Sequence, residues 1–84
     1  MNYDVEYDLD AKQDVADLFR RAPDPAAVLD ALLDAKRRLG RDPSQGRPLP
    51  EGLWRLEVPP VAVSYEIHAV TNTVTVTNVN LVAP

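Results

Sequence analysis

With 84 residues and no cysteine, the chain can build one hydrophobic core but no disulfide framework, thiolate metal site or cysteine nucleophile, and a single histidine makes a histidine metal cluster implausible. Apolar residues at 45% and charged residues at 26% match a folded globular domain rather than a disordered chain. The net charge of −4 works against a polyanionic partner except at a locally basic surface.

These numbers set the first expectations: one domain over residues 1–84, with no metal and no cofactor. The start, Met1-Asn2-Tyr3-Asp4, lacks a basic segment followed by an apolar one, and no apolar run approaches the ~18 residues that span a bilayer. A cytoplasmic protein without a membrane partner is therefore expected. Charge is unevenly spread. Residues 1–19 carry Asp4, Glu6, Asp8, Asp10, Asp14 and Asp17 against Lys12 alone, whereas the basic residues gather between Arg20 and Arg47.

Taken in order, Tyr3, Val5 and Tyr7 alternate with Asp4, Glu6 and Asp8, the period of a half-buried strand, and its acidic outer face suits a sheet edge. Asp10 with Gln13 three residues later reads as a capping box opening a helix, along which Ala11, Val15, Leu18 and Phe19 recur at helical spacing. Arg20 and Arg21 close it, where cations suit the helix dipole. Ala22 to Pro25 forms a short connection, with Asp24 as N-cap and Pro25 at the first helical position. Val28, Leu29, Leu32, Leu33 and Leu39 make one apolar stripe on the second helix, and Gly40 is expected as its left-handed C-terminal cap. The two helices should pair as an antiparallel hairpin.

A Pro/Gly-rich segment from Pro43 to Gly52 then leads into two strands, Leu53 to Val58 and Val61 to Ile67, on either side of Pro59-Pro60. Trp54, Leu56 and Val58 share one face of the first, and Val61, Val63, Tyr65 and Ile67 one face of the second. After a turn at Ala69 to Asn72, Thr73 to Val82 is β-branched at most positions other than its asparagines. Val74 and Val76 have one parity and Val79 and Leu81 the other, so a bulge is expected near Thr77-Asn78. The expected fold is α+β: an N-terminal strand and an antiparallel helical hairpin packed on a mainly antiparallel sheet, completed by a C-terminal three-stranded meander.

The segment R-D-P-S-Q-G-R-P-L-P-E-G-L-W-R-L-E-V-P-P-V-A-V-S-Y-E-I, Arg41 to Ile67, together with this order of elements, resembles the RelE/ParE superfamily of bacterial type II toxins. Members leave the second helix through D-P-x-x-G-x-P-L, continue through G-L-x-x-L-x-V and end a strand in Y-E-I. The departures fall at functional positions. The family's arginine before Y-E-I aligns with Ala62 and its tyrosine with Val61; commonly basic positions in the preceding strand match Trp54, Arg55 and Glu57; the last strand offers Asn78, Asn80, Leu81 and Val82. RelE-like RNA cleavage needs cations and acid/base groups around a 2′-hydroxyl and a phosphate, and of the matching positions only Arg55 retains a positive charge.

The resemblance implies a toxin-like component of a toxin–antitoxin pair that acts by protein binding, ParE-like, or a degenerate non-catalytic relative. Its implied partners are a cognate antitoxin wrapping the hairpin and sheet, with Arg20, Arg21, Lys36, Arg37 and Arg41 meeting acidic residues, and DNA gyrase as target. The alternatives are a ribosome-dependent mRNA interferase using Arg47, Arg55 and His68, which would be an endoribonuclease acting on RNA at the ribosome, and a non-toxic homodimeric interaction domain. An enzyme is the less favoured reading. Tyr65 and Trp54 read as core or sheet anchors, and Glu57 and Glu66 as solvated strand charges.

Overall fold

In the computed structural model, which describes residues 2–82, the chain runs β1 (Asp4–Tyr7), α1 (Leu9–Arg21), α2 (Pro25–Arg41), β2 (Arg47–Pro48), β3 (Leu53–Val58), β4 (Val61–His68) and β5 (Thr73–Leu81). The strands form one sheet in the order β1-β5-β4-β3-β2. The C-terminal meander is as expected, with β3, β4 and β5 antiparallel to their neighbours, while β1 joins β5 in parallel. The two strands expected on either side of Pro59-Pro60 are β3 and β4, and β4 is the central strand.

The alternation in β1 turns Val5 and Tyr7 toward the core and leaves Asp4 and Glu6 exposed at the sheet edge. Helix α1 begins earlier than the capping box suggested. Asp8, not Asp10, is the N-cap, its carboxylate accepting from the Ala11 N–H at 2.8 Å. Pairing with β5 sets this boundary: the Asp8 N–H still bonds the Val76 carbonyl, so Asp8 keeps extended backbone and is the first residue free to cap. Asp10 lies within the first turn, where its charge suits the dipole.

At α2, Asp24 accepts from the Ala27 N–H and Pro25 opens the helix, as expected. The C-terminus of α2 differs from the expected glycine cap. Gly40 is helical, the helix continues to Arg41, and Asp42 caps it through a bond from its N–H to the Arg38 carbonyl. Gly40 instead meets the start of the chain: its carbonyl accepts from the Tyr3 N–H at 2.7 Å, and a Cβ there would lie 3.4 Å from the Tyr3 carbonyl oxygen.

The apolar stripe of α2 also divides differently. Val28, Ala31, Leu32, Ala35 and Leu39 are buried against the sheet, while Leu29 and Leu33 remain 48% and 58% exposed. Small alanines let the helix approach β-branched residues closely, and the flanking leucines are turned out of that contact. Ala11, Leu18, Leu56, Val58, Val61, Val63, Tyr65, Val74, Val76 and Val79 complete the core.

The bulge falls where the parity change placed it. Tyr65 pairs with Val76 and Ser64 with Asn78, leaving Thr77 as the extra residue, so valines on both sides of it face the core. Pro59 and Pro60, joined by a cis peptide bond, form the tight turn between Val58 and Val61. The segment from Pro43 to Gly52 is not simply a loop: it contains two 3-10 turns and the two-residue strand β2. No helix among the described residues is long and apolar enough to cross a membrane.

Candidate functional site

The helices cover one face of the sheet, which leaves two surfaces for the candidate residues: the bare outer face and the outside of the helical hairpin. Residues opposite each other across a ladder share a face. Arg47 lies opposite Arg55, Arg55 opposite Ser64 and Ser64 opposite Asn78, on the side away from Leu56 and Tyr65. Glu57, Glu66 and His68 belong to the same face through the alternation of β3 and β4, and Asp4 and Glu6 reach it through their pairing with Thr73 and Thr75.

The structure therefore brings Arg47 and Arg55 together but not His68. His68 lies four residues along β4 from Ser64, the partner of Arg55, a strand distance of roughly 13 Å. It stands 3.5 Å from Glu66, with both side chains 46% exposed. Arg55 contacts Glu57 at 3.3 Å. Across the whole face four carboxylates, from Asp4, Glu6, Glu57 and Glu66, oppose the two guanidiniums. Ala62 and Val61, at the positions where the toxin pattern carries arginine and tyrosine, are fully buried and offer no donor to this face.

Tyr65 confirms the core reading and adds to it. Its ring is completely buried, and its hydroxyl donates to the Pro43 carbonyl at 2.5 Å, tying β4 to the segment that follows α2. Burial pushes this phenol above its usual range; the Gly46 backbone opposes the shift and the Asp42 carboxylate adds to it. Gly46 is packed so tightly that a Cβ would fall onto the Tyr65 hydroxyl and 2.7 Å from the Arg55 carbonyl oxygen. Asp42 also accepts from the Ser44 N–H and hydroxyl. The D-P-S-Q-G and Y-E-I patterns thus meet in three dimensions, and their junction sets the position of Arg47.

On the hairpin, the five predicted partner-binding residues separate into two groups. Arg20 and Arg21 end α1, whereas Lys36, Arg37 and Arg41 lie toward the end of α2, with the helix length between them. Arg20 pairs with Asp17, and Arg37 and Arg38 with Asp34. Lys36, Arg37 and Arg41 border a groove of about 410 Å³ with Tyr3 and Leu33. Leu33 and Lys36 also line the adjoining groove of about 470 Å³ between the helices, where Lys12, Val15 and Phe19 of α1 face Leu29 of α2.

The joined grooves have an apolar floor and basic margins. Leu29 and Leu33, expected within the core stripe, are surface residues. The available signal was the width of that stripe: it includes Leu29 and Leu33 beside Val28 and Leu32, more than one helix face needs, while Ala31 and Ala35 occupy the inner positions. Among the described residues no group of three or more His, Cys, Asp or Glu is arranged to hold a metal ion.

A family model described as the ParE toxin of the type II toxin–antitoxin system, parDE, matches residues 5–80. Among solved structures, the RelBE2 toxin–antitoxin complex from Mycobacterium tuberculosis is similar in fold, with a TM-score of 0.81 and 23% identity over 98% of this chain and 100% of that one. The YoeB/ParE toxin from Agrobacterium tumefaciens gives 0.74 and 17%, covering 95% and 99%. The chromosomal ParDE system of P. aeruginosa gives 0.70 and 15%, covering 96% and 97%. No curated protein matches the chain by sequence.

Proposed function

Because the chain belongs to the ParE toxin family of type II toxin–antitoxin systems, we propose that residues 1–84 act as one toxin domain that works by gripping a protein, not by cutting RNA. The observation that carries this reading is the outer sheet face. Its two arginines are outnumbered by Asp4, Glu6, Glu57 and Glu66, and His68 stands apart from them. Cleavage at a 2′-hydroxyl needs a base, an acid and phosphate-stabilising cations within hydrogen-bond reach of one another. An acidic face with its cations at one edge supplies neither that convergence nor an attraction for RNA.

The antitoxin is assigned to the hairpin groove. An amphipathic segment with acidic flanks would cover Leu29 and Leu33 and bring carboxylates to Lys12, Lys36, Arg37 and Arg41. Arg20 and Arg21, at the other end of the hairpin, would meet a different stretch of the same partner. DNA gyrase is the target favoured for a ParE-like toxin, and a non-toxic homodimer is the outcome to exclude. The test is induced expression in a bacterial host with DNA, RNA and protein synthesis followed by separate pulse labels. Early arrest of DNA synthesis is expected. Early loss of translation with cut mRNA would overturn the reading, as would unimpaired growth of a host whose gyrase the purified protein also leaves active.

A further inference from the structure

We infer that Arg47 and Arg55 form a receptor for one carboxylate of the poisoned target protein, presented as an acidic side chain or a chain terminus at the outer sheet face. The inference rests on the protein-binding reading above and names the chemistry of the contact. Arg47 and Arg55 are direct cross-strand partners, a placement that holds like charges roughly 5 Å apart at Cβ and is destabilising unless something neutralises it. Glu57 neutralises only Arg55. Among the described residues Arg47 has no ion-pair partner, and it is exposed.

Arg47 and Arg55 line a recess of about 220 Å³ together with Gln45, Gly46, Leu56 and Glu57. The recess is built rigidly on one side. Gly46 is wedged against the Tyr65 hydroxyl and the Arg55 carbonyl, and that hydroxyl holds the Pro43 carbonyl, so the backbone leading to Arg47 is fixed before any ligand arrives. Pre-placing the backbone lowers the ordering cost of binding. With Glu57 in the recess, the site has one uncompensated positive charge, which one carboxylate satisfies through the planar guanidinium fork.

The surroundings select against a nucleic acid. The row in register with Arg47 and Arg55 continues through Ser64 and Asn78 without a further cation, and the rows on either side carry Glu57 and, on the other, Glu66 and Glu6, so a strand of phosphates laid across the sheet would run between carboxylates, whereas a single carboxylate places its charge at Arg47 alone. The receptor and the antitoxin groove lie on opposite layers of the fold, so either can be occupied without covering the other.

The test uses the full chain as wild type, Arg47→Glu and Arg47→Gln, the last guarding against a folding defect in the charge reversal. Each is titrated, with backbone amides followed by NMR, against a capped tetraglutamate peptide and separately against a hexauridine RNA. The expected result is peptide-dependent shifts at Gly46, Arg47, Arg55 and Glu57, with affinity lowered about tenfold in Arg47→Gln and more in Arg47→Glu. Absence of shifts at those amides overturns the inference, and so does RNA binding there more tightly than the peptide. In cells, both variants should lose growth arrest at unchanged melting temperature. A wild type that arrests DNA synthesis while the variants arrest it equally well removes only the receptor. A wild type that cuts mRNA removes the reading beneath it.

Discussion

Replacing Tyr65 with phenylalanine isolates the junction between the D-P-S-Q-G segment and β4. The ring is completely buried and phenylalanine keeps its shape, so the change removes the hydroxyl and little else. Pro43 is itself buried, and its carbonyl would lose the Tyr65 donor at 2.5 Å. A buried hydrogen bond broken on one side costs about 1–2 kcal/mol, which for a domain of this size lowers Tm by roughly 5–10 °C at neutral pH.

The pH dependence gives a second, independent signature. Burial raises the phenol's folded-state pKa above 10.0, so the neutral form is favoured in the native state. Its contribution is fully present below the unfolded value and is lost as pH rises through the folded one. Wild-type stability should therefore fall above about pH 10, and Tyr65→Phe should flatten part of that decline. Tyr7, raised by burial as well, should contribute to the same decline.

Gly46→Ala probes the same junction from the other side and should destabilise more, because its Cβ collides with the Tyr65 hydroxyl and with the Arg55 carbonyl at 2.7 Å. Combining the two substitutions should cost less than their sum, since removing the hydroxyl relieves one of the two collisions but not the backbone one. Circular dichroism melts at pH 7 and across pH 9–11 check all three. A Tyr65→Phe melting point within about 1 °C of wild type, or strictly additive losses in the double variant, would refute the reasoning.

Other outcomes follow from single contacts. The Asp14 carboxylate accepts from the Val79 N–H at 2.9 Å, taking the place of a strand partner beyond the end of β1, and Asp14→Ala should cost about 1.5–3 kcal/mol in urea denaturation. Gly52 has φ of +77° with nothing within 4 Å of a built Cβ, so Gly52→Ala should lose only the conformational cost, about 1 kcal/mol by the same assay. Leu33→Glu, at a position 58% exposed, should leave stability within about 0.5 kcal/mol but prevent co-expressed antitoxin from restoring growth.

The fold was largely legible because its signals are local. Alternation in Tyr3 to Tyr7, the Asp24-Pro25 helix start and the parity change at Thr77 each specify backbone geometry within a few residues. What the sequence hid depends on contacts between distant segments. The Asp8 N-cap is set by a bond to Val76, and the helical state of Gly40 accompanies its bond to Tyr3. Strand β2 has only two residues and no periodicity to read; it exists because Arg47 and Pro48 find Arg55 and Trp54. At the site, Val61 and Ala62 in place of the family's tyrosine and arginine could be seen directly, but the meeting of Arg47 with Arg55 and the outward turn of Leu29 and Leu33 required the register and the packing.

The central claim is that this ParE-family chain grips a protein and cuts no RNA. The most direct measurement presents both candidate targets to the same purified protein: supercoiling by DNA gyrase in one reaction, and a translated mRNA mapped by primer extension in the other. Inhibited supercoiling with intact mRNA is the predicted result. Ribosome-dependent mRNA cleavage with gyrase unaffected would contradict the account.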